Sequence, residues 1–330
     1  MNNLELKKAI LEKIKEYDSI IIVRHIRPDG DCIGTSLGLR DILRTSFPEK
    51  KVYSIGESSA DYLSFIGQED NDVEDEVYKE SLVIAVDTSV KDRIDNKKAS
   101  LGKELIKIDH HLNVEPYGDL IYVRDDFPAA CCIIADFLDT FKDELKMTLE
   151  GAKALFLGMI TDTGRFRYKG MSKRVFELAG MLVDYGFDTE YLYSNLYIKE
   201  SSVLKLEGWL YNNYKTTEHG VAYIHITKRI IKKFGLTYEE AASLINCLDS
   251  IKGHLIWIAF IDLDDSIRVR IRSRFTPCVS VGQKYRGGGH PNACGATVYN
   301  KKEIQELLEF ADGVVKEYKE QNEGWLWEFL

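Results

Sequence analysis

The stretch that most constrains this chain is Ile20 to Leu39, IIIVRHIRPDGDCIGTSLGL. A β-branched apolar run ends at Val23, and His25, Asp29 and Asp31 follow within eight residues. Pro28 and Gly30 interrupt the pattern, so the spacing predicts a strand, a tight turn, and then a helix from Ile33 packed on the same sheet. A turn that crowds one imidazole and two carboxylates at the end of a strand is a candidate metal mouth. Such a mouth needs further ligands from elsewhere in the chain.

Similar strand ends recur. Leu82 to Val86 (LVIAV) is continuously apolar, as a strand covered on both faces would be, and runs into Asp87. Glu104 to Ile108 runs into Asp109, His110 and His111. Lys51 to Ile55 is a shorter strand, and helices are expected over 3–17, 33–46, 128–141 and 172–186. Strands alternating with helices at this spacing predict an α/β fold with a doubly wound, mainly parallel sheet, whose ligands bind beyond the carboxyl ends of the strands. Thr148 is placed to cap a helix that runs into Thr161-Asp162-Thr163-Gly164, where glycine suits a stop.

At 330 residues two domains are expected. The boundaries read as a catalytic domain over 1–195, a helical linker over 196–215 within a long helix from 189, and a smaller α+β domain over 216–330. In that second domain strands are expected at 221–227, 254–262, 267–274 and 295–299, with a glycine-rich loop at 287–290 and a last helix over 301–320. The tail EGWLWEFL is too apolar to float free and is expected to dock on its own domain or on a second copy, as in a homodimer.

Composition excludes several classes. No apolar run reaches the roughly 18 residues of a membrane span, and the amphipathic N-terminus lacks the apolar core and cleavage site of a signal peptide. Cytoplasmic location without membrane association is the expectation. The six cysteines form no CxxC pair, which argues against a zinc ribbon or disulfide framework. A net charge of −9 argues against coating long duplex nucleic acid. The charge is uneven, however: residues 57–80 hold nine acids and one base, whereas 266–302 hold eight bases and no acid.

Taken singly, Asp87 reads as a turn former and Asp-His-His as a polar loop. Together the clusters offer five Asp and three His and no Cys, a set that suits Mn²⁺, Mg²⁺ or Fe²⁺. So many carboxylates at one mouth repel one another without cations. They exceed what one hydrated ion takes but suit two ions sharing a carboxylate, and two metals about 3.5–4 Å apart can clamp a phosphate.

A basic stripe supplies the complement. Ile267 to Arg274 reads I-R-V-R-I-R-S-R, and period two puts Arg268, Arg270, Arg272 and Arg274 on one face. Like charges in a row call for an anion. The sequence Gly287-Gly288-Gly289-His290 follows, and glycines let backbone N–H groups approach an anion closely.

The motifs His25-x-x-x-Asp29-x-Asp31, Asp87, Asp109-His110-His111 and Asp162-Thr-Gly resemble the signature set of the DHH phosphoesterase superfamily, and Gly-Gly-Gly-His resembles its accompanying DHHA1 domain. The resemblance is closest to the nanoRNase and pAp-phosphatase branch. It implies that His25, Asp29 and Asp87 hold one Mn²⁺ and that Asp31, Asp87, His110 and Asp162 hold a second, with Asp87 bridging. It further implies that His111 faces the substrate phosphate, with Asp109 supporting the His pair, and that Arg272, before Ser273, grips the nucleotide with Gly287, Gly288, Gly289 and His290. Arg270 and Arg274 are the weaker matches. The implied partner is a short single-stranded RNA or nucleotide; a linear or cyclic dinucleotide such as pApA or cyclic di-AMP needs the same chemistry. A pyrophosphatase would have less use for the arginine stripe, and a nucleotide sensor would be expected to lack a ligand. Departures from the family pattern fall at Pro128 to Cys132, where hydroxyl and acidic residues are expected, and at Arg286 and Cys294.

Overall fold

The computed structural model describes residues 2–168 and 170–322, the His290 side chain excepted; the Trp-rich tail expected to dock lies outside the described residues. The chain divides into two compact units, 1–197 and 198–330.

The first unit runs α1 (Asn3–Glu16), β1 (Ser19–Val23), α2 (Gly30–Ser46), β2 (Lys51–Ser54), α3 (Asp75–Glu80), β3 (Leu82–Val86), β4 (Glu104–Asp109), β5 (Leu120–Val123), α4 (Ala130–Thr140), α5 (Leu149–Asp162), α6 (Lys173–Val183) and α7 (Thr189–Tyr197). Its five strands are all parallel, in the order β2-β1-β3-β4-β5. Alternate residues of β1, buried from Ile20 onward, and of the wholly buried β3 feed two cores. Ile20, Ile22, Ile84 and Val86 meet α2, α4 and α5, while Ile21, Val23, Val83 and Ala85 meet Tyr78, Ile94 and Tyr117. That two-sided burial is why these strands are continuously apolar. The register pairs Val23 with Ala85 and Val86 with Ile108, so the carboxyl ends of β1, β3 and β4 share one edge.

Two details here differ from expectation. The helix after β1 starts at Gly30 rather than Ile33, because Asp29 acts as its N-cap and accepts from the Cys32 N–H at 3.1 Å. β5 was not expected; it is a four-residue edge strand between Asp119 and Arg124, too short to announce itself. The contact of α2 with α5 rests on glycines spaced four apart. A Cβ on Gly34 would lie 2.4 Å from the Ala154 carbonyl oxygen, and one on Gly30 would lie 2.4 Å from the Thr161 side chain. Only glycine lets the two backbones come this close, and the N-terminus of α2 thereby meets the C-terminus of α5.

The second unit runs α8 (Ser201–Asn213), β6 (Lys215–Thr216), β7 (Val221–Ile226), α9 (Lys228–Phe234), α10 (Tyr238–Ser243), β8 (Ile256–Asp262), β9 (Ile267–Ser273), α11 (Val279–Lys284), β10 (Gly288–His290), β11 (Ala293–Val298) and α12 (Lys301–Gln321). Its mixed sheet has the order β10-β11-β9-β8-β7-β6, with only β7 and β8 parallel. One face packs on α11 and α12, and the other meets α8 through Leu206 and Leu210. Where one continuous helix and a linker over 196–215 were expected, the chain forms α7 and α8, and α8 is part of this unit's core. The interruption at 198–200 holds neither Gly nor Pro.

The glycine-rich segment is not a loop. Gly288–His290 forms the edge strand β10, antiparallel to β11. The glycines serve that pairing: a Cβ on Gly287 would lie 1.9 Å from the Gly295 oxygen, and Gly289 has φ +143°.

Candidate metal centre and anion-binding strand

The shared carboxyl edge of the first sheet gathers the acid and imidazole groups. His25 lies two residues past β1, and its Nδ1 is 2.8 Å from the Ile26 carbonyl oxygen, which makes Nδ1–H the donor. Nε2 then faces Asp29 Oδ2 at 3.5 Å and Asp87 Oδ2 at 3.4 Å. Asp87 leaves β3 with φ +49°, a left-handed conformation that costs about 1–3 kcal/mol and clusters at functional sites. Its other oxygen, Oδ1, lies 3.4 Å from His110 Nε2, which also faces Asp162 Oδ2 at 3.5 Å and Asp31 Oδ2 at 3.8 Å. Thus one carboxylate addresses two imidazoles, one with each oxygen.

These distances are too long for good hydrogen bonds. Two ligand atoms each about 2.0–2.2 Å from one ion lie roughly 3–3.5 Å apart at octahedral to tetrahedral angles, which is closer to what is seen. Asp87 Oδ1 and His110 Nε2 are buried and make no hydrogen bond among the described residues. Orphaned buried groups of this kind are costly unless something else satisfies them, so the residues present fit a cation. Three groups have ligand atoms close enough to share an ion: His25, Asp29, Cys32 and Asp87; Asp87, His110 and His111; and Asp31, His110 and Asp162. Burial pushes the Cys32 thiol up to about 12, and its Sγ lies against the Asp29 backbone, 3.3 Å from the nitrogen and 3.4 Å from the carbonyl oxygen.

The electrostatics point the same way. Burial opposes ionisation of Asp87, but the facing His110 and His25 rings outweigh this and hold it well below the usual carboxylate range. Burial, then the charge of Asp87, pushes Asp31 up to about 6, and burial and neighbouring carboxylates raise Asp162. Burial disfavours charge on His110, yet Asp87, Asp31 and Asp162 raise it to about 10. The cluster is short of positive charge, which a cation would supply.

Asp31 and the His110–His111 pair are braced from behind. Asp31, in the first turn of α2, also caps a different helix: Oδ2 accepts from the Ala130 N–H at 2.6 Å and Oδ1 from the Cys131 N–H at 2.9 Å. The N-cap residue of α4, Ala129, offers no side-chain bond of its own. The absence of hydroxyl and acidic residues from Pro128 to Cys132 is thus offset by a carboxylate from α2. Asp109 is wholly buried, and its Oδ1 accepts from the His110 N–H at 2.9 Å, the His111 N–H at 3.3 Å and His111 Nδ1 at 2.8 Å. His111 Nδ1 also lies 3.5 Å from Asp87 Oδ1.

Sequence reasoning missed Arg24. It is fully buried, reaches Asp95 Oδ2 at 2.9 Å and Glu69 Oε2 at 2.6 Å, and donates to the His25 carbonyl at 3.1 Å. Gly56 leaves room for it, since a Cβ there would lie 2.1 Å from Arg24 Nη2. An arginine directly after an apolar strand was the available signal.

In the second unit β9 alternates as its sequence requires. Val269 and Ile271 are buried, and Arg268, Arg270 and Arg272 lie half-buried on the opposite face. Arg272 is opposite Trp257 on β8 and Ala293 on β11, and Ala293 is opposite His290 on β10. The His290 backbone and Arg272 therefore share one row, two strands or about 10 Å apart; the imidazole lies outside the described residues. Arg270 is opposite Gly295, where a Cβ would lie 3.3 Å from Arg268 Nη2. Arg274 lies one residue past β9, with its guanidinium 5.1 Å from the Trp257 ring centroid. Arg286 is occupied elsewhere, paired with Glu303 at 2.5 Å.

That combination defines a class: an α/β domain with a carboxylate–imidazole centre, joined in sequence to a mixed-sheet domain with a basic strand. The chain belongs to the DHH family, whose N-terminal domain matches residues 19–159, and the DHHA1 domain matches residues 220–317. It is 36% identical over 317 residues to the bifunctional oligoribonuclease and PAP phosphatase NrnA of Bacillus subtilis, covering 95% of this chain and 100% of that one. A probable enzyme of the same description from Streptococcus mutans is 36% identical over 310 residues, covering 94% and 99%. Among solved structures, an exopolyphosphatase-related protein from Bacteroides fragilis is similar at 25% identity and a TM-score of 0.86, covering 95% of this chain and 98% of that one.

Proposed function

We propose that the chain hydrolyses short oligoribonucleotides to nucleoside 5′-monophosphates and removes the 3′-phosphate of adenosine 3′,5′-bisphosphate to give AMP. The observation that carries this is Asp87, whose two oxygens each lie 3.4 Å from a different imidazole nitrogen, the geometry of a bridging carboxylate. Relatives of nearly full coverage whose names include both activities support the choice of substrate.

His25, Asp29 and Asp87 would hold one divalent cation, and Asp31, Asp87, His110 and Asp162 a second, Mn²⁺ being the ion we favour. When bound, the pair supplies the charge that draws a phosphate and allows water to ionise near neutral pH. The protein's own groups do the rest. Asp31 is immobilised by two α4 amides, so its position does not depend on the ion. Asp109 accepts from His111 Nδ1, which fixes the ring orientation and lets the imidazole serve the substrate phosphate. Arg272, with Arg270, Arg274 and the Gly287–His290 segment, would bind the nucleotide's other anionic groups. A strand of half-buried arginines suits a short anion better than a long duplex.

We place the chain in the cytoplasm. All six cysteines are free, and among the described residues no helix is long and apolar enough to cross a membrane.

The test is a Mn²⁺-supplemented assay on a dinucleotide, a short oligoribonucleotide, adenosine 3′,5′-bisphosphate and pyrophosphate. Turnover of the first three and not of pyrophosphate is expected. Turnover of the dinucleotide alone would make the chain a dinucleotide phosphodiesterase, and no turnover at all would make it a nucleotide sensor.

A further inference from the structure

Lys107 sits in the middle of β4 and is wholly buried, which is rare for lysine unless its charge is compensated. Its Nζ donates to the Ser89 carbonyl at 2.8 Å, to Asn113 Oδ1 at 3.3 Å and to the Glu115 carbonyl at 3.4 Å. It also lies 4.6 Å from the ring centroid of Tyr117, whose hydroxyl donates to the Thr88 carbonyl at 2.6 Å. Thr88 and Ser89 directly follow Asp87, and Asn113 and Glu115 closely follow His111. One ammonium thus ties to β4 the two loops that carry Asp87 and the His110–His111 pair.

The same ammonium faces Asp109. That carboxylate spends Oδ1 on the two histidines, while Oδ2 is buried with no hydrogen bond among the described residues and has Lys107 Nζ at 3.7 Å. A buried carboxylate deprived of its counter-charge is strongly unfavourable. It relieves that by turning or by drawing in water, and either response releases Oδ1 from the histidines. We propose that Lys107 is a positioning residue for the hydrolytic reaction, acting through Asp109 to hold His110 and His111 in register with Asp87. This inference rests on the function proposed above.

The test uses the full-length chain with Mn²⁺ and adenosine 3′,5′-bisphosphate, in the variants Lys107→Met, Asp109→Asn and the two combined. Lys107→Met should lower kcat about 10- to 100-fold, the usual range for a group that orients metal ligands from behind, with KM and bound metal unchanged. Because Lys107 acts through Asp109, the losses in the double variant should be less than additive. Amide exchange at His110 and His111 should quicken in Lys107→Met. An unchanged kcat in folded Lys107→Met, or fully additive losses in the double variant, would overturn the inference by reducing Lys107 to core packing. If Lys107→Met does not fold, Lys107→Gln keeps donors for Ser89 and Glu115 without the charge and is judged by the same criteria. A wild-type chain that turns over no substrate defeats the proposed function instead, and amide exchange alone then decides whether Lys107 braces the histidines.

Discussion

Replacing Gly34 with alanine tests the link between helix packing and the metal centre. The new Cβ would meet the Ala154 carbonyl oxygen at 2.4 Å, Cys131 Sγ at 3.1 Å and the Gly158 nitrogen at 3.1 Å. Two of these atoms are backbone, so the clash cannot be relieved by a rotamer change, and α2 and α5 must move apart. Overpacking of this kind costs about 1–3 kcal/mol, and alanine recovers about 0.5–1 kcal/mol of helix preference over glycine. The net expectation is a loss of about 1–2 kcal/mol, or about 2–8 °C in the first unfolding midpoint of a unit this size. Because α2 carries Asp31 and α5 ends at Asp162, metal affinity and hydrolysis should fall with it. Gly180 in α6 is the control, since a Cβ there meets nothing within 4 Å. Gly180→Ala should be neutral or stabilising by up to about 1 kcal/mol. Thermal unfolding followed by circular dichroism, with metal titrated in parallel, reads both. A Gly34→Ala protein as stable and as active as wild type would refute the close-approach argument.

Three further outcomes are expected. Asp87→Asn should lose both metal retention and hydrolysis while keeping its fold, because asparagine tolerates the φ of +49°; inductively coupled plasma analysis of the purified variant checks this. Arg272→Ala should lose a charge-assisted contact worth about 1.5–3 kcal/mol, seen as a drop of about 10- to 150-fold in kcat/KM carried mainly by KM; a fall in kcat alone would count against it. Asp136 is buried between Lys7 and Arg174, and although burial opposes its ionisation, their bonds hold its carboxyl below the ordinary range. Its stabilisation is therefore full above the unfolded value of about 3.9 and is lost as pH falls through the folded one. Asp136→Asn should cost about 3–5 kcal/mol at neutral pH, a gap that closes in acid and is measurable by urea unfolding at several pH values.

The strand-end chemistry was legible because parallel, doubly covered strands must be continuously apolar. A polar residue that ends such a run therefore marks the carboxyl edge of the sheet, as Asp87 does after β3 and Arg24-His25 does after β1. The arginine alternation on β9 was legible for the related reason that strand faces alternate. What was not legible depends on partners distant in sequence. Asp31 caps a helix about a hundred residues away, Arg24 is a buried charge paired with Glu69 and Asp95, and Lys107 bonds carbonyls in the loops after β3 and β4. The Gly30 and Gly34 spacing was visible, but its meaning required α5 beside it. Gly287 to Gly289 read as a loop because glycine is common in turns; their role in a close strand pairing emerges only with Gly295 opposite.

The central claim is that Asp87 bridges two cation sites. Diffraction at the manganese edge from crystals grown with Mn²⁺ tests it most directly. Two anomalous peaks are predicted, one bounded by His25, Asp29 and Asp87 and the other by Asp31, Asp87, His110 and Asp162. A single peak, or density that leaves Asp87 out of either site, would contradict it.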